Sequence, residues 1–469
     1  MTHPVALPYW LFVLLAVLAA WAALEHLVLP ALRWALHRRA EAVLRELGPR
    51  LQMEIPPMKL ARREMMIERL RVDDRVHEAV NREAARTGEP LQRVQARANA
   101  YAREIVPSFN AYFYFRVGYW LARLIAKSLY RVRLGYSDEA GLAAIEPRST
   151  VVFVINHRSN FDYVLVAFLA AERAALSYAV GEWARIWPLE TLIRRMGAYF
   201  VRRNSGDPLY RAVLQRYVQM ATEAGVTQAL FPEGGLSIDG RLRAPKLGLL
   251  DYMVRGYDPD AERDLVFVPV GIGYDRVLED RTLLRKLDPA SPPASFSGAL
   301  AAAVGFAVKQ ALLRVRGRWF RFGYACVNFG TPLSMRRRAR EGGFKPRLLS
   351  EGQRRQEVES LGSELMRRIK VVVPVLPVAL VARVFQDAGA RAMEELEVKA
   401  AAFQLVQRLA AHDALVYLPR GDQDYAIDVG LRMLVLRRIV LEQTGLYRAN
   451  PGEQAILAYY ANGIAHLLQ

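Results

Sequence analysis

His157 and Asp162 stand five positions apart in VVFVINHRSNFDYVLVAFL, and their types suit a general base with an orienting carboxylate. A carboxylate bonded to one imidazole nitrogen fixes the tautomer and leaves the other nitrogen to take a proton near neutral pH. A histidine hydrogen-bonded for structural reasons alone fits the same His-x4-Asp spacing, so the pair needs company. Candidates follow along the chain. GAYFVRRN (Gly197–Asn204) ends an apolar run with Arg202 and Arg203, whose planar guanidinium forks suit a phosphate and equally suit a solvated surface. ALFPEGGLSIDGRL (Ala229–Leu242) places Glu233, Gly234, Gly235 and Ser237 in one turn. Glycines there let backbone N–H groups approach an anion, although a plain strand-to-loop turn also uses them. VFVPVGIGYDRV (Val266–Val277) carries Pro269 and leads into Tyr274-Asp275-Arg276.

Five positions apart, His157 and Asp162 cannot share one helix face, so a strand–turn–helix corner must bring them together. The β-branched run Thr150–Ile155 predicts a buried strand ending just before His157, and Phe161–Arg173 predicts the helix that carries Asp162. The carboxyl ends of strands are where α/β sheets form sites. Further strands are expected at Gln228–Phe231, Leu265–Val270 and Phe320–Val327, and a helix at Leu209–Ala224. The alternation predicts an α/β domain over 131–334, a sheet flanked by helices.

The flanks have a different texture. Residues 40–130 are charged and helix-forming, broken at Pro56-Pro57 and Gly88-Glu89-Pro90. Their last part, Ser108–Tyr130, is rich in aromatics with Arg116, Arg123 and Lys127 along one side. It suits a helix lying on a membrane surface or one packed on the core. Residues 335–469 are mainly helical; the run Val371–Val381, too short for a bilayer and holding two prolines, is expected in the core. Residues 1–39 hold the uncharged run Val5–Leu24, about 30 Å long as a helix. Arg33, Arg38 and Arg39 follow it, and neither Lys nor Arg precedes it. It is therefore expected to anchor the chain as a single transmembrane helix with the body in the cytoplasm, rather than to be a cleaved signal.

Composition narrows the classes further. With 24% charged and 52% hydrophobic residues, the chain is neither a disordered polar polymer nor a polytopic membrane protein. The lone Cys326 excludes an internal disulfide, and seven histidines with one cysteine leave little material for a structural zinc site. A balance of 65 basic against 47 acidic residues, formally +18, favours anionic partners: lipid head groups, phosphorylated substrates or an acidic carrier. No nucleic-acid-binding module is visible, so nucleic acid is not an expected partner.

Taken in order, HRSNFDY (His157–Tyr163), GAYFVRR (Gly197–Arg203), FPEGGLS (Phe231–Ser237) and VPVGIGYDR (Val268–Arg276) resemble the four blocks of the glycerolipid acyltransferases related to glycerol-3-phosphate acyltransferase. The likeness extends from about residue 95 to the end. The closing YYANGIAHLL (Tyr459–Leu468) is similar to the ending of the bacterial glycerol-3-phosphate acyltransferases. The tail, the HRS…DY form and the paired glycines favour this branch over the lysophosphatidate acyltransferases.

The resemblance implies that His157 takes the proton of a glycerol hydroxyl, which attacks an acyl thioester without an acyl-enzyme, while Asp162 orients His157. It implies that Arg202 and Arg203 hold the phosphate, that Glu233, Gly234 and Ser237 shape the glycerol phosphate site, and that Pro269 belongs to the fourth block. Expected partners are glycerol 3-phosphate, acyl carrier protein or acyl-coenzyme A, and membrane phospholipids. The thioester supplies the activation, so neither a metal nor an organic cofactor is expected. Lysophosphatidate or another lysolipid is the alternative acceptor, and a catalytically silent membrane scaffold the alternative class. Leu236 departs from the pattern, standing where relatives usually carry Arg. Arg241 or Arg243 is the expected substitute cation.

Overall fold

The computed structural model describes residues 55–170, 175–181, 185, 189–202, 205–285 and 321–468. The expected anchor Val5–Leu24 and the site candidate Arg203 lie outside the described residues. Among the described residues no helix is long and apolar enough to cross a membrane.

Among the described residues eight strands form the central sheet: β1 (Arg131–Ser137), β2 (Thr150–Ile155), β3 (Ser177–Gly181), β4 (Tyr199–Val201), β5 (Gln228–Leu230), β6 (Leu265–Tyr274), β7 (Tyr324–Phe329) and β8 (Leu333–Ser334). Their order is β1-β7-β6-β2-β5-β3-β4, with β8 paired to β6. From β6 through β4 all neighbours are parallel. β7 and β8 run antiparallel to β6, and β1 runs parallel to β7. The sheet is therefore mixed, with helices on both faces as the α/β pattern predicts.

Every residue of β2 is buried because both faces are covered. Val152 and Val154 pack on one side with Phe267, helix Pro208–Glu223, and residues of Arg63–Arg71, Asp74–Thr87 and Leu91–Ile105. Val151, Phe153 and Ile155 pack on the other with Val268 and Val270. There they meet residues of Asp162–Ala170, Pro377–Ala388, Glu395–Ala410, Gln423–Leu436 and Gln454–Asn462. Period-two alternation thus feeds two cores at once, and helices from both flanks of 131–334 supply them. The apolar run after 371 breaks into a helix end at Val372 and a new start at Pro377, with Val373, Val375 and Leu376 buried between. Helix Tyr119–Leu129 buries Ala122 and Ala126 while leaving Trp120 and Leu124 exposed.

β1, β3, β4 and β8 have no counterpart among the expected strands, β5 stops one residue short at Leu230, and β6 and β7 differ in extent. β6 continues past Val270 to Tyr274 in spite of Pro269. Pro269 falls between two antiparallel partners, β8 opposite Val266 and Phe267 and β7 opposite Val270 onward, where its missing N–H is tolerated. β7 runs from Tyr324 to Phe329, against the expected Phe320–Val327. Gly323 turns the chain just before it at φ +83°, where a side chain would press on Asp275.

Candidate active site

β2 ends at Ile155, and helix Asp162–Ala170 begins seven residues later, so the intervening corner folds His157 back over the helix start. His157 Nδ1 lies 2.9 Å from Asp162 Oδ2, and both side chains are buried. The same oxygen accepts the backbone N–H groups of Arg158 at 2.7 Å and Ser159 at 3.0 Å. Oδ1 accepts the Tyr274 hydroxyl at 2.6 Å. A carboxylate surrounded by donors requires the imidazole proton on Nδ1, which leaves the Nε2 lone pair available. Nε2 is buried with no protein partner among the described residues, and His157 lines a cavity. The Phe231 ring lies against the imidazole at 4.2 Å between centroids and limits its rotation.

A second set of bonds fixes the backbone of His157. Glu233 Oε1 accepts the His157 N–H at 2.9 Å, and Oε2 accepts the Arg243 N–H at 2.9 Å. Burial pushes the Glu233 carboxyl above its usual range, and the N–H of His157 opposes that shift. Ser237 donates its N–H to the His157 carbonyl at 3.0 Å and its hydroxyl to the Arg241 carbonyl at 2.7 Å. Asn156 exchanges two hydrogen bonds with the backbone of Ile272, tying the corner to β6. Glu279 accepts from the Ser159 hydroxyl and the Asn160 N–H, and burial raises its carboxyl as well.

The C-terminal residues close this assembly. The buried Arg158 guanidinium donates to the carbonyls of Gly240 and Gly463, and the Asn462 amide donates to the Asp239 carbonyl at 2.9 Å. Tyr460 donates to Asp280 and accepts the Val277 N–H at 3.1 Å, while Arg437 donates to the same Asp280 carboxylate. The YYANGIAH tail is therefore the far wall of the first and third blocks.

The cavity beside His157 has a volume of about 290 Å³ and passes between Gly181, Arg202, Gly234, Lys246 and Tyr252. The structure brings His157, Asp162, Glu233, Gly234 and Ser237 together, with Glu233 and Ser237 spending their side-chain bonds on backbone groups. Arg202 lines the cavity, but its guanidinium makes two bonds to Glu104, at 2.8 and 2.6 Å. Pro269 sits inside the sheet, opposite Val154, and is not a lining residue. Arg241 and Arg243 do not line the cavity either; Arg243 reaches out to the Leu236 carbonyl at 3.4 Å. Tyr274, Asn156, Glu279 and Lys246 carry no motif on which sequence reasoning could assign their roles, although Tyr274 lies within the fourth block. Among the described residues, no three His, Cys, Asp or Glu side chains form a cluster able to hold a metal ion.

A buried His–Asp pair at the carboxyl end of a mixed α/β sheet thus sets a carboxylate-oriented imidazole against a cavity lined by cations. Residues 139–273 match the family described as Acyltransferase, and residues 310–469 match the Glycerol-3-phosphate acyltransferase C-terminal region. The two matched regions follow each other in order along the chain. The glycerol-3-phosphate acyltransferase of Pseudomonas putida (strain W619) is 28% identical over 84% of this chain and 47% of that protein. The one of Pseudomonas entomophila (strain L48) is 28% identical over 92% of this chain and 52% of its own length. The chain thus spans about half the length of the curated relatives it matches. Among solved structures, a 1-acyl-sn-glycerophosphate acyltransferase from Thermotoga maritima aligns with a TM-score of 0.31 and 18% identity. That alignment covers 54% of this chain and 78% of that one.

Proposed function

We propose that the protein transfers a fatty acyl group from a carrier thioester to the sn-1 hydroxyl of glycerol 3-phosphate, giving lysophosphatidate. The observation that carries this reading is His157 Nε2, buried beside a cation-lined cavity with its ring fixed by Asp162. His157 Nε2 takes the hydroxyl proton as the glycerol oxygen bonds to the thioester carbonyl carbon. The tetrahedral adduct collapses, the carbon–sulfur bond breaks, and the imidazolium returns its proton to the departing thiolate. Asp162 stabilises the imidazolium between these steps. Glu233 and Ser237 hold the base in place, and Gly234 leaves room for the acceptor. Arg202 and Arg203 bring charge to its phosphate, and Pro269 keeps β6 in register beneath the corner. The thioester is already activated, so the reaction calls for no metal or organic cofactor.

The donor is acyl carrier protein or coenzyme A thioester. The span Val5–Leu24 serves as a transmembrane anchor and keeps the catalytic body on the cytoplasmic surface, where the lysophospholipid product enters the bilayer. An acyl-transfer assay with the purified full chain in detergent tests the reading. Turnover of glycerol 3-phosphate is expected, with His157→Ala slower by about 100-fold or more, as for loss of a general base. Turnover of lysophosphatidate but not glycerol 3-phosphate would overturn the acceptor. Undiminished activity of His157→Ala would overturn the chemistry.

A further inference from the structure

Three cations line the cavity beside His157, namely Arg202, Arg211 and Lys246, and no carboxylate is among its described lining residues. They are not equivalent. The Arg202 guanidinium is bonded twice to Glu104, a carboxylate that also accepts from Arg185, so much of its charge is already compensated. Arg211, in the first turn of helix Pro208–Glu223, and Lys246 are both solvent-exposed and have no ion-pair partner among the described residues.

Lys246 is placed by two contacts. Its backbone N–H donates to the Pro232 carbonyl at 2.7 Å, which holds it beside the third-block turn. Its stem then crosses Gly234, where an added Cβ would lie 2.5 Å from the Lys246 Cδ. Gly234 has φ +64°, so glycine there serves both the left-handed turn and the passage of the lysine. The next residue back, Glu233, holds the backbone of His157. Leu236 is half-buried and packs against the core that includes the C-terminal helices. An apolar side chain thus fills position 236, while a cation from further along the chain enters the cavity.

We infer that Lys246, assisted by Arg211, binds the phosphate of a small phosphomonoester acceptor in place of the arginine absent at 236. The inference rests on the proposed function and names the specificity residue of that site. A lysine ammonium is a compact point charge on a flexible stem. Here the stem is confined by Gly234, so the charge is delivered one residue from the anchor of the base. Arg202, its guanidinium shared with Glu104, then contributes less to holding the phosphate than Lys246 does.

The test combines binding and kinetics on the full chain in detergent, with wild type, Lys246→Gln, Lys246→Arg, Arg211→Gln and Arg202→Gln. Calorimetric titration with glycerol 3-phosphate and with inorganic phosphate should show binding by wild type. Lys246→Gln should bind both about 30-fold more weakly, the scale of one lost charged hydrogen bond, and Lys246→Arg should recover most of the loss. In turnover, the KM for glycerol 3-phosphate should rise by a similar factor while the KM for the acyl donor stays put. Equal binding by wild type and Lys246→Gln, or a larger loss in Arg202→Gln than in Lys246→Gln, overturns the inference and leaves the proposed reaction standing. Wild type that neither binds nor acylates a phosphorylated acceptor overturns both.

Discussion

The Tyr274 hydroxyl donates to Asp162 Oδ1 at 2.6 Å, joining the last residue of β6 to the first residue of the helix that follows β2. The other carboxylate oxygen is taken by the imidazole and two backbone N–H groups, so Tyr274 settles the rotation of Asp162 about its own side chain. The orientation of the His157 ring is thereby set by a residue 112 positions away from Asp162.

Tyr274→Phe removes that bond and leaves the ring, which packs with Tyr130 and Phe161. A hydrogen bond to a charged group contributes roughly 1.5–3 kcal/mol, so kcat should fall about tenfold or more. Both KM values should change little, because Tyr274 is not a cavity-lining residue. Steady-state kinetics decide it; an unchanged kcat would mean that Asp162 keeps its orientation without the tyrosine.

Gly240→Ala probes the tail as a wall of the site. Gly240 has φ +85°, and an added Cβ would lie 1.9 Å from the Tyr459 carbonyl oxygen, so backbone must move. The shift would pull the Gly240 carbonyl from Arg158, leaving a buried guanidinium short of an acceptor. A loss of roughly 2 kcal/mol or more is expected, read as a lower denaturant midpoint. Unchanged stability would show that the third-block loop is not held by the C-terminal helix.

Asp275 gives a pH dependence. It is fully buried and accepts the backbone N–H groups of Tyr324 and Val378, and burial pushes its carboxyl up to about 6. An unfolded aspartate titrates near 4, so the folded state favours the neutral acid. That stabilising contribution is complete below pH 4 and is lost as pH rises through 6. The stability of wild type minus that of Asp275→Asn should therefore fall by about 3 kcal/mol between those limits, a difference of some two pK units. Denaturant unfolding of both proteins at pH 4 to 7 measures it, and a flat or rising difference would exclude the mechanism.

The sequence alone determined the class of fold and the pairing of His157 with Asp162. β2 and the helix after it are encoded locally, by a β-branched run, a polar corner and a second apolar run. His157 and Asp162 lie within six residues, so local folding is enough to join them. Only the tertiary structure decided what surrounds them. Glu233 and Tyr274 meet the pair across 76 and 112 positions, and the tail reaches the neighbouring Arg158 across 305, and no local period records such pairings. Charge type was legible at Arg202 but its bonding to Glu104 was not, because a partner from another helix is chosen by packing. Leu236 was visible as a departure in the sequence. That Lys246 enters the cavity follows from the turn geometry at Gly234, which exists only once the sheet and its loops are assembled.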